Sequence, residues 1–130
     1  MNLKKERQEI YDELEDRIRG TPLIQYHGDV SNHNTIWIKN VSESPFGSHY
    51  DLPYLQLFKH YESQGKIHPG DKVFETTSGS AGVSMANLGR ELGYECILAL
   101  PAGGEKARED AIKQAGATLH LTPKEKYVNG

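Results

Sequence analysis

The chain has 130 residues, 36% of them hydrophobic, a formal net charge of −3 and a single cysteine, Cys96. That length suits one compact domain rather than two, the mixed charges leave no basic block for a nucleic-acid surface, and no apolar run approaches the ~20 residues of a membrane helix. One cysteine excludes an internal disulfide framework, and the N-terminal run Met1-Asn2-Leu3-Lys4-Lys5 lacks the apolar region of a secretory signal, so these features point to a soluble, cytoplasmic protein.

Residues 3–19 read as a charged helix whose apolar positions, Ile10, Leu14 and Ile18, form one narrow stripe at i, i+4, i+8. Gly20 stops it, and Thr21-Pro22 does not easily continue it. Ile36-Trp37-Ile38 reads as a short strand, and 40–50 as a loop punctuated by Pro45 and Gly47. Leu55, Leu57, Phe58 and Tyr61 predict a helix over 52–64, with Pro53 tolerated in its first turn. After the Pro69-Gly70 turn come strand 72–76, helix 81–92, strand 95–100, helix 104–115 and strand 117–121, with Gly93 and Gly116 at the joints. Strands alternating with helices of this length imply βαβ units on a parallel sheet, joined by right-handed crossovers.

Ligands of open α/β sheets bind outside the carboxyl ends of the strands. Loops 77–82 and 101–104 fall there. The run Val73-Phe74-Glu75-Thr76-Thr77-Ser78-Gly79-Ser80-Ala81-Gly82 passes from a strand through small residues into a helical pattern. The first N–H groups of a helix lack partners within it and sit at the positive end of its dipole, which makes an anion site. Gly79 and Gly82 would let an anion approach the backbone, and Thr77, Ser78 and Ser80 would add hydroxyl donors. The alternative is a capped βα turn with Ser80 as the N-cap.

Three other constellations stand outside this loop. Ser78-Gly79-Ser80-Ala81-Gly82 is a near miss to the Gly-x-Ser-x-Gly nucleophile elbow, for which Asp110 and His120 are the ordered partners of a small serine hydrolase. The histidines His27, His33, His49, His60, His68 and His120 show no helical i, i+4 metal pair, so no metal is expected. His49 stands apart from the rest, because it sits beside Tyr50 in the loop expected to face the anion site; the alternative is a solvated loop histidine. Cys96, in a strand expected to be buried, is assigned no chemistry.

Five short motifs, in order, resemble the pyridoxal-phosphate (PLP) enzymes of the tryptophan synthase β-subunit type, the fold type II group that includes cysteine synthase. Thr21-Pro22-Leu23 is similar to their early Thr-Pro-Leu, and Ile36-Trp37-Ile38-Lys39 to the strand after it. Ser44-Pro45-Phe46-Gly47-Ser48-His49-Tyr50-Asp51 resembles their Asn-Pro-Ser-Gly-Ser-x-Lys-Asp. Gly65-Lys66-Ile67-His68-Pro69-Gly70-Asp71 and Thr77-Ser78-Gly79-Ser80-Ala81-Gly82 resemble their Pro-Gly-Asp turn and their Thr-Ser-Gly-Asn-Thr-Gly loop. The resemblance covers roughly 20–122. It implies three segments: an N-terminal helix over 1–19, a partial PLP-enzyme-like domain over 20–122 and a tail over 123–130. The implied fold is a three-layer α/β domain, a parallel sheet with flanking helices, equivalent to the N-terminal part of that fold.

The resemblance also implies chemistry, and the departures from it qualify that chemistry. The family's activity is β-replacement or elimination on an amino acid such as O-acetylserine or serine, with pyridoxal 5'-phosphate held as an imine on the lysine of the Lys-Asp pair. That position is Tyr50, and a phenol cannot form an imine. Lys39 and Lys59 are the nearest amines. The family's cofactor-contacting Asn is Ser80, which has a shorter reach. Nothing after Thr122 supplies the family's glycine-rich phosphate cradle. What carries over is a substrate-carboxylate cradle at Thr77, Ser78, Gly79, Ser80 and Ala81. The chain is therefore expected to be a truncated or catalytically degenerate relative without covalently held PLP, or a non-catalytic module. In either case it would need a second copy or a partner chain.

Overall fold

The computed structural model describes residues 3–28 and 34–123; His33 and the expected tail beyond Pro123 lie outside the described residues. In chain order the elements are α1 (Lys5–Arg19), β1 (Leu23–Tyr26), β2 (Ile36–Lys39), α2 (Asp51–Ser63), β3 (Lys72–Thr76), α3 (Ser80–Leu92), β4 (Glu95–Pro101), α4 (Lys106–Gln114) and β5 (Thr118–Thr122). A single 3-10 turn, Val41–Glu43, interrupts the loop before α2.

Strands β3, β4 and β5 form the expected parallel sheet in that spatial order, with Val73 opposite Cys96 and Leu98 opposite Leu119. Flanking helices complete an α/β fold: α3 packs on β4, α4 on β5, α2 on α3 and α1 on α2. The central strand turns Cys96, Leu98 and Leu100 into the core. Helix α3 approaches that strand closely because it presents Gly82, Ala86 and Gly89 to it; a Cβ on Gly89 would fall 2.1 Å from the Cys96 sulfur. Phe74, in the opposite phase of β3 from Val73, is 64% exposed.

Two features differ from the sequence reading. The strand at 36–38 has an antiparallel partner, β1, paired Leu23 with Lys39 through Tyr26 with Ile36. Both strands are exposed along their length, so neither shows the alternation that marks a half-buried strand. On α1 the buried residues are Tyr11, Leu14 and Ile18, while Ile10 is exposed. Leu14 and Ile18 are buried as expected, and Tyr11 takes the place of Ile10, with a polar partner in the core.

That partner is Glu62, on α2. Its carboxylate accepts both Arg7 Nε and Arg7 Nη2 at 2.7 Å, Tyr11 Oη at 2.8 Å and Tyr94 Oη at 2.6 Å. Burial pushes the Glu62 carboxyl up, but its hydrogen bonds from Arg7, Tyr94 and Tyr11 outweigh burial and hold it below its ordinary range. Burial and the same carboxylate push the Tyr11 and Tyr94 phenols well above theirs. A buried carboxylate is tolerated only when its lone pairs are met this fully. The cluster fastens α1, α2 and the start of β4 together, and so fixes α2 against the sheet.

Candidate functional site

Two loops at helix N-termini carry the site residues. In the first, Thr77 leaves β3 still aligned with the sheet, its N–H donating to Ala99 O at 3.0 Å. The side chain is buried. Its Oγ1 then turns back and accepts the N–H of Gly79 and the N–H of Gly82, each at 3.2 Å. Gly79, not Ser80, is the N-cap residue, and the capping oxygen comes from Thr77. Ser80 cannot cap because it is already the first helical residue, with its side chain on the exposed side. Gly79 has φ +144° and ψ −78°, a conformation that L side chains rarely adopt.

This geometry corrects the roles read from sequence. The N–H groups of Gly79 and Gly82 are consumed by Thr77. Gly82 is small because Thr77, Leu98 and Ile112 crowd it: a Cβ there would lie 2.6 Å from Thr77 Cγ2. The N–H groups of Ser78, Ser80 and Ala81 have no acceptor among the described residues, and the side chains of Ser78 and Ser80 are exposed beside them. Arg108 of α4 crosses the same loop; its Cδ would lie 2.5 Å and its Nη1 3.1 Å from a Cβ on Gly79. Its Nε pairs with Glu105 at 3.0 Å. Ser78, Pro101, Gly103, Glu105 and Arg108 line a cavity of about 320 Å³ at the carboxyl end of β4, where the loop over 101–104 was expected. Unpartnered amides at the positive end of a helix, with hydroxyls and a guanidinium nearby, can hold a carboxylate or a comparable oxyanion.

The second loop, 44–50, leads into α2. Asp51 is fully buried at the first position of that helix. Its Oδ2 accepts Ser44 Oγ at 2.5 Å and the Phe46 N–H at 3.0 Å, and its Oδ1 accepts Ser84 Oγ of α3 at 2.6 Å. Tyr50 is half-buried, with its ring 4.1 Å from that of His49 and 6.5 Å from that of Tyr54. Tyr54 in turn donates a long bond of 3.5 Å to Glu75, and burial followed by the Glu75 charge pushes its phenol up to about 12.

Both lysines named from the sequence are engaged elsewhere in hydrogen bonds or ion pairs. Lys39 Nζ donates to the carbonyls of Arg19, at 2.7 Å, and Thr21. Lys59 Nζ is held by Asp12 at 3.2 Å and Glu15 at 3.8 Å. His49 does not face the anion loop as expected. It lines a cavity of about 500 Å³ with Thr21, Lys39 and Ser48, separate from the one that Ser78 lines. The direction differs because Asp51 folds the loop inward at Ser44 and Phe46, which leaves His49 exposed on the outer side.

The hydrolase constellation does not assemble. Asp110 is paired with Lys106 at 3.1 Å, His120 is exposed on β5, and no hydrogen bond joins either to Ser80. Cys96 is buried, its Sγ donating to Met85 O at 3.5 Å, and burial pushes the thiol up to about 11, which suits inert packing. Among the described residues no group of three potential metal ligands is gathered, and no helix is long and apolar enough to cross a membrane. Thr77 as a clamp, Asp51 as a buried link, Arg108 and Glu62 were not identified from sequence. Glu62 and Asp51 act on residues that only the fold brings near, Arg7 and Ser84.

Comparison with known proteins places this geometry among relatives. A family model described as pyridoxal-phosphate dependent enzyme matches residues 14–129. The chain is 33% identical over 121 residues to cysteine synthase B of Pseudomonas syringae pv. syringae, covering 92% of this chain and 72% of that one. It is 34% identical over 123 residues to cysteine synthase B of Pseudomonas aeruginosa, again covering 92% of this chain but 40% of the relative. Among solved structures, cysteine synthase from Entamoeba histolytica superimposes with a TM-score of 0.82 at 27% identity, over 100% of this chain and 40% of that one. O-ureido-L-serine synthase does so with a TM-score of 0.80 at 27% identity, over 87% and 36%.

Proposed function

The chain belongs to the pyridoxal-phosphate dependent enzyme family, and from that premise we propose that it keeps the family's grip on an amino-acid carboxylate while lacking the amine that holds the cofactor. The observation that carries this reading is the set of open N–H groups at Ser78, Ser80 and Ala81, beside the exposed Ser78 and Ser80 side chains. A ligand carboxylate spanning them receives charge-assisted hydrogen bonds at the positive end of α3. Ser80 is the residue assigned to contact a cofactor ring. Its exposed position allows this, but its short side chain limits it.

The residues present do not fit covalently held pyridoxal 5'-phosphate. Tyr50 stands at the imine position, and the two nearest lysines by sequence are tied to backbone carbonyls and to carboxylates. Catalysis of the cysteine synthase type, β-replacement or elimination on O-acetylserine or serine, would require a second region or a partner chain to supply what is missing. Without it the chain is a binding module, a degenerate relative that recognises an amino acid or simple anion. The largely exposed Phe74 on β3 and the exposed hairpin residues Leu23 and Trp37 support association with a second copy or a partner. Sedimentation that shows only monomer at high concentration contradicts that part.

Calorimetric titration with serine, O-acetylserine and sulfate tests the cradle. Binding that vanishes in Gly79→Val, with the fold intact by circular dichroism, is the expected result. Absence of heat from every ligand with the wild-type chain overturns it.

A further inference from the structure

We propose that Asp51 is a positioning residue that locks the loop carrying Tyr50 to the helix carrying the anion cradle, so that the two halves of the site respond together. This rests on the cradle reading above and adds a coupling that the cradle alone does not require.

Asp51 is fully buried, and no cation lies within ion-pair distance of it among the described residues. Its carboxylate is instead satisfied by three neutral donors from two places. Ser44 and Phe46 belong to the loop that leads to His49 and Tyr50, and Ser84 belongs to α3. Asp51 itself begins α2 and so meets the positive end of that helix. Ser84 is also fully buried, and it lies one helical turn beyond Ser80. A ligand that tightens the first turn of α3 therefore acts on Ser84, and Ser84 on one oxygen of Asp51. The other oxygen holds the second loop. Among the described residues the Ser84 hydroxyl is the only polar link between that loop and the start of α3.

An asparagine cannot reproduce the arrangement. It has one acceptor oxygen where the carboxylate uses two, so one of the serine hydroxyls must reverse from donor to acceptor. Ser84→Ala cuts the link more gently, because the Ser44 and Phe46 bonds to Asp51 remain.

The test is a sulfate titration of the full, nitrogen-15-labelled chain, read at backbone amides. In the wild type, amides 78, 80 and 81 are expected to shift, and amides 49 and 50 to follow with the same saturation curve. In Asp51→Asn and in Ser84→Ala, 78, 80 and 81 still shift and the response at 49 and 50 is lost. Should Asp51→Asn fail to fold, Ser84→Ala decides the question. Wild-type amides 78, 80 and 81 that shift while 49 and 50 stay fixed overturn the coupling and leave the cradle standing. Equal responses at 49 and 50 in wild type and Ser84→Ala also overturn it. No shift at 78, 80 and 81 in the wild type overturns the cradle and the coupling together.

Discussion

At the start of α2, the Asp51 N–H donates to Ser48 O, the Tyr54 N–H donates to Tyr50 O, and Pro53 has no N–H to offer. At the start of α3, Thr77 Oγ1 takes the N–H groups of Gly79 and Gly82 but leaves those of Ser78, Ser80 and Ala81 open. Each turn is organised by one buried oxygen-bearing side chain, Asp51 or Thr77. The carboxylate brings its own negative charge to the first end, though it takes none of the first-turn N–H groups of α2. The hydroxyl caps only part of the second and leaves it able to receive a charge from a ligand. A helix N-terminus favours a bound anion where it carries no charge of its own, and the two loops differ in that respect within one fold.

The comparison depends on α2 being fixed, which is the work of Glu62. Glu62→Ala leaves a part-buried Arg7 and the buried Tyr11 and Tyr94 hydroxyls without their acceptor and should destabilise the fold by about 3 kcal/mol, measured by urea unfolding. The pH dependence has a definite sign. The folded Glu62 carboxyl lies below its ordinary 4.5, so its contribution is present above that value and is lost as pH falls through the folded one. The Tyr11 and Tyr94 phenols lie above their ordinary 10.0, so their contribution is present below that value and is lost as pH rises through the folded ones. Stability should therefore be level between these limits, and Glu62→Gln should blunt the acid arm. An unchanged acid arm in Glu62→Gln would remove the cluster from the account.

Gly79→Val breaks the open end directly. A β-branched residue is strained at φ +144° and collides with Arg108, so the loop must change shape. Sulfate or serine binding should weaken by about tenfold or more, since hydrogen bonds to charged groups contribute roughly 1.5–3 kcal/mol each. Thr77→Val keeps the shape of the side chain and removes the acceptor. Two N–H groups in the buried part of the turn lose their partner, and unfolding free energy should fall by about 1–3 kcal/mol. Tyr50→Lys has the smallest effect on stability and sharpens the contrast at the other loop. After borohydride reduction with pyridoxal phosphate, peptide mapping should find label at position 50 in the variant. The wild-type chain should show none at Lys39 or Lys59, whose amines are engaged.

Much of this fold was legible from spacing. The helices from α2 to α4 and the three parallel strands follow from apolar periodicity and from glycines at the joints. Strand β1 was not legible, because Leu23-Ile24-Gln25-Tyr26 follows a proline and exposes both faces. The position of the anion loop was readable, but its internal roles were not. Ser80 has the composition of a cap, yet the backbone turn at Gly79 gives that task to Thr77. The buried linking roles of Asp51 and Glu62 were not readable for a different reason. Their partners lie as far as 33 and 55 residues away in sequence, and no local pattern announces a buried carboxylate that long-range donors will satisfy.

The most direct test of the central claim is amide-resolved titration of the wild-type chain with O-acetylserine. The open-cap account predicts large shifts at Ser78, Ser80 and Ala81, with Gly79 and Gly82 moving little because Thr77 already holds their N–H groups. Shifts of equal size at all five amides, or none at any of them in a folded protein, would contradict it.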